Sequence, residues 1–107
     1  MATGRQGATA LSATTWAAVY TVPAATIWTG KISVCNRNAT QVKVRMGFGT
    51  GSSPASGEFV EYDTPLTPAG TAGAVLERSG EILDAGMKVL VYSDTANVDV
   101  VVSGYEE

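Results

Sequence analysis

The sequence contains no histidine and a single cysteine, Cys35. The first absence removes the commonest general base and metal ligand, so a Ser-His-Asp triad, a Cys-His pair and any His-bearing zinc site are excluded. The second excludes an intrachain disulfide and a cysteine zinc cage, and a lone thiol fits synthesis in a reducing compartment. Charge is scarce as well: 16% of the residues are charged, against roughly 25% in an ordinary soluble domain. With 7 basic and 10 acidic side chains the net charge is −3, which leaves no basic footprint for nucleic acid. No apolar run approaches the ~20 residues of a membrane-spanning helix. The first ten residues carry one charge, Arg5, and no apolar stretch, so they are not expected to act as a secretory signal. No cofactor, nucleic acid or membrane is therefore expected as a partner. The low charge leads instead to the expectation that another protein covers part of the surface.

What is present is β-strand signal. Over 107 residues there is room for one domain. Its first segment, 1–15, is small and polar, with Leu11 its only sizeable apolar side chain, and is expected to be a flexible arm. From Trp16 onward short strands alternate with turn residues. In 41–48, Val42, Val44, Met46 and Phe48 alternate with Gln41, Lys43, Arg45 and Gly47, the period of a half-buried strand. Segment 27–35 places Trp28, Ile32 and Val34 on one face, and Asn36 to Thr40 between the two reads as a hairpin turn. Further strands are expected over 16–22, 58–62, 74–77, 81–83, 87–93 and 98–104, with a plain Gly/Ser loop at 49–57. No helical repeat of useful length occurs. The expected architecture is a single all-β antiparallel sandwich or jelly roll of about eight short strands over 16–107, preceded by the arm.

None of the chemistry-bearing clusters matches a working constellation. Gly47 to Ser52 lacks the lysine and following helix of a phosphate loop. Glu58, Glu61 and Asp63 lie along one strand, where a spacing of three sends side chains to opposite faces rather than across a cleft. Asp94, Asn97 and Asp99 have no EF-hand spacing and are ordinary turn residues. Cys35, in an apolar strand, reads as a small hydrophobe, and the Asn38-Ala39-Thr40 sequon as a turn. No catalytic or metal-ligating residue is assigned, and no enzymatic activity is expected. Trp16, Tyr20, Trp28, Phe48, Phe59, Tyr62, Tyr92 and Tyr105 fill a core, anchor an interface or form a sugar platform.

Three stretches together resemble a known family. They are Tyr20 to Ala24, Ile32 to Arg37, and Asp84 to Ser93 running on into Ala96 to Gly104. This pattern is similar to the small β-sandwich of tailed-bacteriophage virion proteins, in which an acidic residue often follows the Ala-Gly turn where this chain has Met87. The resemblance implies a structural protein of the virion, made in the bacterial cytoplasm. It would decorate and stabilise the capsid by binding the major capsid protein across capsomer seams, as a homo-oligomer, by analogy a trimer. A tail, baseplate or head-fibre component is the alternative, followed by a carbohydrate-binding attachment module. For partner binding the expected residues are Arg5 and Leu11 in the arm, with Trp16, Trp28 and Tyr105 as anchors.

Overall fold

The computed structural model describes residues 3–107 as eight antiparallel strands in two four-stranded sheets. In chain order they are β1 (Thr3–Leu11), β2 (Ala17–Thr21), β3 (Trp28–Asn36), β4 (Val42–Gly49), β5 (Phe59–Leu66), β6 (Val75–Leu83), β7 (Lys88–Ser93) and β8 (Val98–Glu106). One sheet has the order β1-β8-β3-β6 and the other β2-β7-β4-β5. Pairing is therefore nested from the chain ends inward: β1 with β8, β2 with β7, β3 with β6, and β4 with β5. Wrapping one long hairpin into two sheets in this way produces the nested order of a jelly roll.

Alternation decides which side chains meet between the sheets. From β3 come Trp28, Ile32 and Val34, from β4 Val42, Val44 and Met46, from β7 Val89 and Val91, and from β8 Val98, Val100 and Val102, all buried. Trp28 is the largest. Its indole lies against Gly30, where an added Cβ would stand 2.7 Å from Cζ2 of the ring and 2.1 Å from the Ser103 carbonyl oxygen. Glycine is thus required there by close approach rather than by backbone freedom. The indole Nε1 donates to Gln6 Oε1 at 3.2 Å, and the Tyr20 ring packs beside it at 5.6 Å. The Tyr20 hydroxyl donates to Glu106 at 2.5 Å. Burial first, and then this bond to a carboxylate, push the phenol above its ordinary pKa.

At the opposite long edge of the sandwich, Arg78 of β6 meets Glu61 of β5 at 2.6 Å. This pair ties the two sheets together, and Thr64 Oγ1 also donates to Glu61 at 2.6 Å. The carboxylates of β5 thus part company, Glu61 turning inward and Asp63 outward to Arg45.

Three sequence expectations are corrected. Residues 3–11, expected within a flexible arm, form β1 at a sheet edge, paired with β8 from Thr3↔Tyr105 to Leu11↔Val98 with a register shift between Arg5 and Gly7. A backbone ladder does not require an apolar period, so the small polar sequence gave no sign of it. Met1 and Ala2, the remainder of the arm's start, lie outside the described residues. The segments 36–40 and 41–48 do not form a hairpin with 27–35, because β3 and β4 belong to different sheets. The buried Asn36 side chain makes this corner: its Nδ2 donates to the carbonyls of Thr40 and Thr67 at 3.0 and 2.9 Å, and its Oδ1 accepts from the Asn38 backbone N–H at 2.9 Å. Finally, 74–77 and 81–83 are one strand, β6, with a bulge at Gly80 (φ 73), where the register with β3 shifts.

Candidate protein interface

The outward face of the β2-β7-β4-β5 sheet is built from the residues that alternate with the core. On β4 these are Lys43, Arg45 and Gly47, opposite Pro65 of β5, Tyr92 and Leu90 of β7. Arg45 is the hub. Its guanidinium binds Asp63 through two hydrogen bonds, Nε to Oδ1 at 2.7 Å and Nη2 to Oδ2 at 3.3 Å. It also lies 4.2 Å from the centroid of the Tyr62 ring and 5.3 Å from that of Tyr92. Two stacked rings and a bidentate carboxylate hold it in one orientation. The hydrogen bond to Arg45 keeps the Asp63 carboxyl below the ordinary carboxylate range and raises the guanidinium in turn.

Trp16 closes the cluster from the other side. It stands just before β2, 5.3 Å from Tyr92 and 5.9 Å from Phe59 by ring centroids, and Phe59 meets Tyr62 edge-on at 5.2 Å. Trp16, Phe59, Tyr62, Arg45 and Tyr92 thus touch in a closed circuit drawn from the start of β2 and from β4, β5 and β7. Tyr62 is the most open member, 59% exposed. Beside the circuit the 49–57 loop lies down on the sheet: Pro54 is buried against Gly47, and Glu58 accepts the Ala55 N–H at 2.7 Å. Any Cβ at position 47 would stand 2.5 Å from the Pro54 ring, so glycine lets the loop settle here.

The five residues expected to bind partners do not come together. Trp16 joins the aromatic circuit. Arg5 and Tyr105 are exposed on the outward face of the opposite sheet, where Arg5 borders a shallow groove with Ala8, Ala10, Asp99 and Val101. Leu11 and Trp28 are core residues, 3% and 0% exposed, and cannot reach a partner from the folded state. This corrects their assignment to a binding surface: Leu11 ends β1 by filling the sandwich, and the Trp28 indole is satisfied by Gln6. Arg45, Phe59, Tyr62 and Tyr92 complete the site. The sequence signal for Arg45 was its place on the polar side of the cleanest alternating strand, while Phe59 and Tyr62 gave none beyond being aromatic.

Chemically the circuit is an aromatic surface with one guanidinium set in it. Arginine, tryptophan and tyrosine are the residues in which binding energy concentrates at protein interfaces, and these are already held in place. The rings are tilted against one another by 41° to 81° rather than coplanar. Among the described residues no three His, Cys, Asp or Glu side chains converge. No family model, curated protein or solved structure matches the chain, so its role has to be read from the faces of the sandwich themselves.

Proposed function

We propose that this is a structural virion protein that decorates a tailed-phage capsid, binding the major capsid protein across capsomer seams, and that its work is contact rather than catalysis. The observation that carries the reading is the closed circuit of Trp16, Phe59, Tyr62, Arg45 and Tyr92 on one outward face. Such a circuit gives a partner protein a rigid, largely apolar anchor with one cation whose charge is already balanced by Asp63. Little side-chain entropy is left to lose on docking. Multiple copies on one shell would add avidity, so a modest single-site affinity suffices. The family resemblance of the 20–24, 32–37 and 84–104 stretches supplies the virion context.

The tilt of the rings favours a protein as the occupant over a glycan, which stacks on open flat ring faces. Electron cryomicroscopy of purified particles containing this chain tests the proposal. Density for the sandwich on the head, between capsomers, is the expected result. Density confined to the tail, baseplate or fibres overturns capsid decoration.

A further inference from the structure

We infer that β1 exchanges between two copies of this chain, each copy's Thr3–Leu11 adding to the β8 edge of the other. The inference does not depend on the phage reading. It starts from how few side chains tie β1 to its own sandwich. Leu11 is the only core side chain that β1 contributes. Gln6 adds one bond to the Gly104 carbonyl and one to the Trp28 indole, and the rest is the backbone ladder to β8. A strand held in this way lies at the low end of the local stability scale and opens well before the whole domain.

The connection to β2 supplies the drive. Residues 12–16 cross from one sheet to the other in a tight turn. The Thr14 N–H donates to the Ser93 carbonyl at 2.8 Å, and Thr14 sits at φ 52. A β-branched residue is strongly disfavoured in that left-handed region. Trp16, packed on Phe59 and Tyr92, fixes the far end of the turn, so the strain cannot relax by moving β2. It relaxes if the turn opens and 12–15 extend, which carries β1 away from its own β8. The occupant of the vacated edge follows from the same facts. A second copy's β1 restores every ladder bond, the Leu11 contact and both Gln6 bonds, and only the hinge differs between the two states. Reciprocal exchange relieves two Thr14 hinges per dimer.

Paired cysteines tell the states apart. Ala8 and Val101 are exposed cross-strand partners on β1 and β8, within reach of a disulfide. In a Cys35→Ser background, Ala8→Cys with Val101→Cys should oxidise within the chain at low protein concentration. After incubation at high concentration it should give a covalent dimer on a non-reducing denaturing gel. Intrachain product alone at every concentration overturns the inference. So does an equal dimer yield from Ala8→Cys alone, which would mark a surface contact instead. Independently, light scattering of the unmodified chain should show a dimer that forms with concentration and dissociates slowly on dilution. Thr14→Gly, which removes the hinge strain in both copies, should lower the dimerisation constant about tenfold or more. A chain that stays monomeric throughout, or an unchanged constant for Thr14→Gly, contradicts it.

Discussion

The two outward faces of the sandwich come from strands of the same design, yet they differ in how their side chains are joined. On the β1-β8-β3-β6 face small outward residues such as Ala8, Ala10 and Ser103 stand beside two ion pairs, Lys31 with Glu77, which Ser33 also meets, and Arg37 with Asp99. Val75, Ile82, Val101 and Tyr105 are exposed there. On the β2-β7-β4-β5 face the side chains lock together, with Asp63 and the Tyr62 and Tyr92 rings on one arginine and Trp16 and Phe59 linking those two rings. The difference shows that fold and site separate cleanly here. Either face can be altered outward without touching the valine-rich interior, and only one face carries a locked cluster of rings.

That comparison can be broken from the inside first. Trp28→Ala removes the largest core side chain beneath both faces and should cost about 3–5 kcal/mol of stability. Thermal or urea unfolding should then show the two faces lost in one transition. A variant in which the aromatic face melts separately would show two independent units. Next in size is Gly47→Ala, which drives a methyl into Pro54 and the Glu58 carbonyl and should cost about 1–3 kcal/mol. Here the disturbance should stay on one face, visible by NMR as shifts of Trp16 and Tyr92 with Tyr105 unmoved.

Smaller again is the contrast between two surface cations. Arg45→Ala loses a bidentate pair and two ring contacts and should lower the urea midpoint by more than the loss of an isolated surface charge does. Lys31→Ala loses one exposed contact at 3.6 Å and should lie within about 0.5 kcal/mol of the parent by urea titration. Equal effects would erase the distinction between the faces. The smallest effect is acid titration of the Asp63 carboxyl. Its pKa is lowered by Arg45 in the folded chain, so the pair's contribution is present above the unfolded carboxylate value and is lost as pH falls through the lower folded one. By carboxyl NMR the Asp63 midpoint should lie below that of an ordinary aspartate and move up in Arg45→Ala. An Asp63 that titrates at the ordinary value in both chains would show that the pair does not hold in solution.

Much of the interior was legible from alternation, and much of the surface was not. Val42, Val44 and Met46, then Val98, Val100 and Val102, and Trp28 with Ile32 and Val34 all face the core as their period requires. The period failed where side chains do not carry the pairing. Gly4, Arg5 and Gly7 in β1 are held by a ladder that leaves no mark on composition. At Gly80 a bulge breaks the rhythm and makes one strand look like two. Asn36 read as part of a hairpin turn because turn residues do not say which sheet the chain enters next. For the candidate site, Trp16 stood out in the sequence as one of its two tryptophans. Its partners did not, because Phe59, Tyr62 and Tyr92 come from strands far apart in sequence whose adjacency is fixed only by sheet order.

Binding to shells assembled from the major capsid protein tests the central claim most directly, by comparing Trp16→Ala and Tyr62→Ala with Tyr105→Ala. If the aromatic circuit is the anchor, each of the first two weakens binding about 30-fold or more, while Tyr105→Ala binds as the parent does. Loss of binding in Tyr105→Ala with Trp16→Ala and Tyr62→Ala unaffected would contradict the account.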